Sequence, residues 1–285
     1  MKRRPPTTRW LKDIATWKIG KTLYISVVFS WDVERSVEIA AKHNGPVIVG
    51  GPAAILNQGA FEGVAKVQEE CDVCEPVLFH NPLASFSTRG CPNKCPFCAV
   101  PKLEGDLREL HSWRPAPFMC DNNFLAASKK HQTNVVDKLC KFPLVDFNQG
   151  LDAKLFTPEA ADNLGRLNLH ARFAFDSLGY ESKVADAITL CKKRTSKHIS
   201  IYALVGFRET PEETLYRLRK IIEWGTIPVP MRYQPLDAKQ KNEFVADGWT
   251  GKELRRMTRY FWKYRFLSKT PYEEYDPPST ARTLF

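Results

Sequence analysis

The residues most able to do chemistry lie in one short run, Ser87-Thr88-Arg89-Gly90-Cys91-Pro92-Asn93-Lys94-Cys95-Pro96-Phe97-Cys98, which spaces three cysteines as C-x3-C-x2-C. Thiolates are soft ligands suited to iron and zinc. Three of them this close together can hold three irons of a [4Fe–4S] cube and leave the fourth iron without a protein ligand. An iron with an open position is what a chelating small molecule needs. With eight cysteines in 285 residues, this spacing is expected by chance only about 0.006 times. Five of the eight cysteines fall between Cys71 and Cys98, a clustering that favours metal or redox chemistry over a disulfide framework. The competing use of the thiols is a zinc knuckle or a structural cluster. Zinc prefers C-x2-C pairs and four ligands, and Cys71-x2-Cys74 offers one such pair, so a second metal there stays open.

The run resembles the signature of the radical SAM superfamily, including the aromatic Phe97 directly before the third cysteine. The resemblance implies a cube held by Cys91, Cys95 and Cys98, its open iron chelated by the amino and carboxylate groups of S-adenosylmethionine (SAM). It implies reductive cleavage of SAM to a 5′-deoxyadenosyl radical that abstracts hydrogen from a substrate, with a flavodoxin- or ferredoxin-type electron donor. Further positions follow from the same resemblance. Met119-Cys120-Asp121-Asn122-Asn123-Phe124 is similar to an element of the radical SAM group that often carries a cobalamin-binding domain, where it meets the SAM amino group. Asp121 and Asn122 are the candidates, with a turn and helix cap as their alternative role. Gln149 and Asp152, then Asp176 and Ser177, resemble polar positions that hold the ribose or carboxylate of SAM; each is equally a turn residue. Val205-Gly206-Phe207-Arg208-Glu209-Thr210 resembles the pattern at the fifth strand, with Leu204 as an apolar wall and Gly206 allowing close approach to adenine. Glu209 and Thr210 read better as the cap of the next helix. At the sixth strand Arg232 would meet a carboxylate or phosphate, or form a surface ion pair, and Leu236 would face adenine.

These residues need strands to carry them. β-branched and aromatic runs predict strands near 84–88, 116–120, 144–148, 171–176, 199–205 and 229–234, alternating with helical patterns at 134–141, 158–167, 182–193 and 211–225. The fold class expected is α/β: a partial (β/α)6 radical SAM barrel over residues 81–250, a small N-terminal α/β, truncated Rossmann-like segment within 1–80, and a C-terminal helix and tail over 251–285. Residues 1–20 read as a poorly ordered basic arm, followed by a strand at 23–29, a helix from Val33 to His43 capped by Asp32, and a strand closing on Gly50-Gly51. That segment looks like a shrunken cobalamin-binding domain. The D-x-H-x-x-G element that ligates cobalt is missing and His43 reads as a solvated residue near a helix end, which argues against cobalamin. Cys120, Cys140 and Cys191 read as packing residues.

The net charge of +10 and pI near 9.2 favour a polyanionic partner. In the C-terminal helix, Leu254, Met257, Phe261 and Tyr264 share one face, while Arg255, Arg256, Arg259, Trp262, Lys263 and Arg265 fall on the remaining surface. Those basic and aromatic residues, with Lys2-Arg3-Arg4 and Arg9-Trp10, suit phosphates and a stacked base; a solvated face is the alternative. No apolar stretch approaches a membrane span and no secretory signal is present, so a cytoplasmic location is expected. The substrate expected is a nucleobase, nucleotide or nucleic acid. The alternatives are the same chemistry on a peptide or small metabolite, and a non-catalytic metal-stabilised nucleic-acid-binding protein.

Overall fold

The computed structural model describes residues 13–70, 75–264 and 269–277. Two larger sheets organise the chain. The first is built from β1 (Ile14–Ile19), β2 (Thr22–Val27), β3 (Val47–Gly50) and β4 (Lys66–Val67), with α1 (Val33–Ala41) and α2 (Pro52–Leu56) between strands. β1 and β2 form an antiparallel hairpin, and β2, β3 and β4 run parallel. β1 corrects the expectation of an irregular arm reaching residue 20. Ala15 is fully buried, and the Trp17 ring stacks on Tyr24 at 5.5 Å and on Phe79 at 4.2 Å. Burial of an aromatic side chain outweighs the basic character of its neighbours. Asp32 precedes α1 but makes no side-chain cap bond; the tight turn Ser30–Asp32 leads into the helix instead.

The chain then passes through α3 (Val77–His80) into β5 (Ala84–Ser85), β6 (Thr88–Arg89), α4 (Val100–Leu103) and β7 (Arg108–Glu109). β8 (Phe118–Met119), α5 (Lys129–Leu139), β9 (Val145–Phe147), α6 (Pro158–Leu164), β10 (Leu169–Ala174), α7 (Glu181–Arg194), β11 (Ile199–Val205), α8 (Pro211–Glu223) and β12 (Ile227–Arg232) follow. β5, β8, β9, β10, β11 and β12 make one six-stranded, wholly parallel sheet in chain order. Each expected strand is there. Among the described residues β5 and β12 do not pair, so the sheet does not close.

Strand alternation decides what each face carries. Val145, Phe147, Leu169, Ala171, Phe173, Ile199, Ile201, Ala203 and Val205 join one hydrophobic core with residues of α5 to α8. Fully burying each such Val, Leu, Ile or Phe stabilises the fold by roughly 1.5–3 kcal/mol. The opposite face is polar: Asp146, His170, Arg172, Ser200 and Tyr202 sit on it. Arg172 donates to both carboxylate oxygens of Asp146 at 2.7 Å, and His170 Nε2 bonds Ser200 Oγ at 2.8 Å.

α9 (Gly251–Arg259) continues into a π-helical turn, Tyr260–Tyr264. Leu254, Met257 and Phe261 are buried as the sequence indicates. The side chains of Lys263 and Tyr264, and all of Arg265, lie outside the described residues, as do Lys2-Arg3-Arg4, Arg9, Trp10, Cys71 and Cys74. Arg256 is not solvated: it donates to the carbonyls of Tyr272 and Glu273 at 2.6 and 2.5 Å, docking residues 269–277 on α9. Cys191 is core, but Cys140, at the end of α5, is exposed, a correction to its reading as core. No described helix is long and apolar enough to cross a membrane.

Candidate metal centre and adjoining cavity

The three cysteines lie on the tip between β6 and α4, in a loop whose return is held by the antiparallel β6–β7 pair. Gly90 opens this tip at φ +75°, and a Cβ there would run into the Asp106 carbonyl, so only glycine fits. Glu104 braces the entry: it accepts from Gly90 N at 2.8 Å, from Arg89 at 2.7 Å and from Asn122 Nδ2 at 2.7 Å. Cys91 N donates to Gly105 O at 3.0 Å and Cys98 N to Cys95 O at 3.1 Å.

The three thiols are half-exposed and free of disulfides. N–H donors already point at two of them. Cys91 Sγ accepts from Asn93 N at 3.4 Å and Asn123 Nδ2 at 3.6 Å, and Cys98 Sγ from Val100 N at 3.5 Å. Such donors stabilise thiolates and tune bound iron–sulfur centres. Burial first, then the neighbouring Cys98 and Cys91 thiolates, pushes the Cys95 thiol up; burial does the same for Cys98. Bound iron would reverse that, since the ion supplies the positive charge the thiolates lack. Among the described residues, no three His, Cys, Asp or Glu side chains converge as they would on a single ion. Three thiols, two of them already met by N–H donors, are the donor set a cube would take, one thiolate to each of three irons.

Beside the loop, at the C-terminal ends of the parallel strands, a cavity of about 750 Å³ opens. This is where ligand sites form in such sheets, and the volume suits a cofactor-sized molecule. Of the residues singled out in the sequence, Cys95, Phe97, Asn122, Gln149, Asp152, Asp176, Ser177 and Leu204 line it. Asp176 accepts from Leu204 N at 2.8 Å, and burial pushes its carboxyl up to about 6.

Cys91 and Cys98 are not part of the lining, and four of the cofactor-contact candidates lie elsewhere. Asp121 is buried beneath the loop, where it accepts from Ser87 N at 2.7 Å, from Thr88 N at 2.5 Å and from both hydroxyls. Burial pushes its carboxyl up, and those donors draw it back. It anchors the loop rather than lining the cavity. Gly206, at φ +78°, makes room for Leu254 of α9, because a Cβ there would strike that side chain. Arg232 pairs in register with Val205, so it projects to the helix-covered face, where Nη2 donates to Phe244 O at 2.7 Å. Leu236 is not part of the cavity lining.

Other residues join the site that the sequence does not single out. Asn93 and Asn123 both donate to Asp152 Oδ2, at 2.8 and 3.2 Å, tying the loop to the ends of β8 and β9. Asn123 is 3% exposed, and its Oδ1 is buried with no partner beside Cys91. Thr210 caps α8 as expected, while Glu209 is held by the fully buried Arg217, which also donates to the Phe175 and Leu204 carbonyls at 2.5 and 2.8 Å. Both line the cavity.

No protein-family model matches the chain, and no curated protein matches it in sequence. Among solved structures it is similar to TsrM of Kitasatospora setae, a radical SAM methyltransferase with cobalamin and a [4Fe–4S] cluster bound. The TM-score is 0.54 at 13% identity, covering 77% of this chain and 66% of that one. The same enzyme with tryptophan substrate and the SAM analogue aza-SAM bound gives a TM-score of 0.52 at 13% identity, covering 77% and 65%. Over 77% of its length the chain has a fold similar to that of this radical SAM methyltransferase. It spans just under two thirds of TsrM's length.

The N-terminal sheet adjoins the cysteine loop, because α2 packs against α4. The strand-end edge of that sheet is occupied by the protein itself: Ser30 Oγ donates to Ala238 O at 2.7 Å, and Lys241 lies 5.9 Å over the Trp31 ring. A small cavity of about 40 Å³ lies beside β2 and β3, room for water. The TsrM structure has cobalamin bound.

Proposed function

We propose that the chain is a radical SAM enzyme that cleaves SAM to a 5′-deoxyadenosyl radical, which takes hydrogen from a nucleobase, nucleotide or nucleic acid. The observation that carries this reading is a loop of three disulfide-free thiols, with Cys95 among them lining a large cavity at the strand ends of a sheet whose fold is similar to that of a radical SAM enzyme. When bound, the cluster supplies the single electron that breaks the S–C5′ bond, leaving methionine and the radical, with a flavodoxin- or ferredoxin-type protein as reductant.

The protein's own contribution is position and exclusion of water. Cys91, Cys95 and Cys98 would hold three irons. Asn123 Oδ1, the buried acceptor without a partner, would accept a hydrogen bond from the amino N–H of SAM. Asp176 and Ser177 would hold the ribose hydroxyls, and Leu204 with Phe97 would flank the adenine. The sheet would curve as a partial (β/α)6 barrel around them, with residues 1–80 and 251–285 as appended segments. The net charge of +10 supports an anionic substrate, and the location proposed is the cytoplasm. Anaerobic reconstitution tests the reading. The protein should take up about four irons and release 5′-deoxyadenosine under reductant. Cys95→Ala should lose both while the sheet stays folded by circular dichroism. Zinc in an oxygen-stable protein that never cleaves SAM would overturn the reading in favour of a metal-stabilised binding protein.

A further inference from the structure

The cavity mouth carries charge that the SAM reading does not use. Every exposed charged residue lining it is cationic: Lys94, Lys154, Lys183 and Arg208. They come from separate elements, namely the cluster loop, the turn after β9, the first turn of α7 and the turn after β11. The lining carboxylates lie deeper and are engaged within the protein. Asp152 is bonded by Asn93 and Asn123, Glu209 pairs with Arg217, and Asp176 accepts from Leu204 N. Lys94, Lys183 and Arg208 form no ion pair with the described residues; Arg208 only lies 5.1 Å over the Phe207 ring. Unpaired cations around a low-dielectric cleft attract and hold an anion, and three of them from different elements suit a group with several acceptor oxygens.

We propose that this rim, with Lys183 and Arg208 at its centre, anchors a phosphate group on the substrate of the radical reaction. This rests on the radical SAM reading for the word substrate, but the subsite itself is testable without turnover. Calorimetry on the anaerobically reconstituted protein with SAM would compare inorganic phosphate, uridine 5′-monophosphate and a uridylate 12-mer, with uridine as the uncharged control. The phosphate-bearing probes should bind at least about tenfold tighter than uridine, with affinity falling as salt rises. The K183Q/R208Q variant should lose that advantage. Equal binding of the monophosphate and 12-mer would assign the anion to a free phosphate group, and a preference for the 12-mer to a polynucleotide backbone. Uridine binding as well as its monophosphate, or an unchanged phosphate affinity in the variant, would overturn the subsite. Iron content and the SAM response of the electron paramagnetic resonance signal are read on the same samples. Phosphate binding without a cluster would therefore sink the enzymatic reading alone, and a SAM-responsive cluster without phosphate binding would sink the subsite alone.

Discussion

Asn123 joins the metal loop to the sheet: its Nδ2 reaches both Cys91 Sγ and Asp152, while its Oδ1 is buried and unpaired. A buried acceptor without a donor costs about 1–3 kcal/mol, which the N–H of a bound amino group would recover. Asn123→Ala should keep the iron content and weaken SAM binding roughly tenfold, a loss of about 1.4 kcal/mol by equilibrium titration; unchanged SAM affinity would remove Asn123 from the site. On the polar face of the sheet, His170 Nδ1 lies 3.4 Å from Asp146, which has the look of an ion pair. Arg172 already engages both oxygens of that carboxylate. Burial first, then the Arg172 and His198 charges, drops the His170 pKa from 6.5 to about 3, so the ring is neutral. Between those values the unfolded chain binds a proton that the folded chain refuses, so stability falls as pH falls from about 6.5 toward 3. Urea midpoints of the iron-free protein should follow that trend, and His170→Gln should flatten it. A variant as acid-sensitive as the parent would show the ring to be uninvolved.

At the level of elements, the parallel strands were readable because strands buried on a helix-covered face are continuous apolar runs. The helix starts were readable where caps are local, as at Thr210, whose capping box with Glu213 spans three residues. Readability failed where the contact is distant or depends on parity. Asn93 meets Asp152 across 59 positions, and nothing local marks that meeting. Arg232 was assigned to the site from its place at a strand end, yet its register with Val205 turns it to the helices. β1 was missed because its burial comes from Tyr24 and Phe79 rather than from its own pattern. Gly206 was read as an approach to adenine and instead seats α9 through Leu254. Gly206→Ala combines a positive φ with that collision, so it should destabilise by about 1–3 kcal/mol in chemical denaturation. A change within about 0.5 kcal/mol would mean α9 shifts freely.

Across the whole molecule, two sheets meet at the metal loop, one contacting it through α2 and α4, the other carrying it on its first strand connection. His80 of α3 bonds Ser26 Oγ at 2.9 Å, and Phe79 stacks on Trp17, so the seam between the sheets is packed. Everything functional depends on whether the Cys91–Cys98 loop leaves one iron open to the amino-acid end of SAM. Electron–nuclear double resonance on the reduced, reconstituted protein with SAM labelled with nitrogen-15 at its amino group reads that bond directly. A strong coupling of the labelled nitrogen to the cluster is the expected result. A cluster signal that ignores the label, or a centre with no iron at all, would contradict the account.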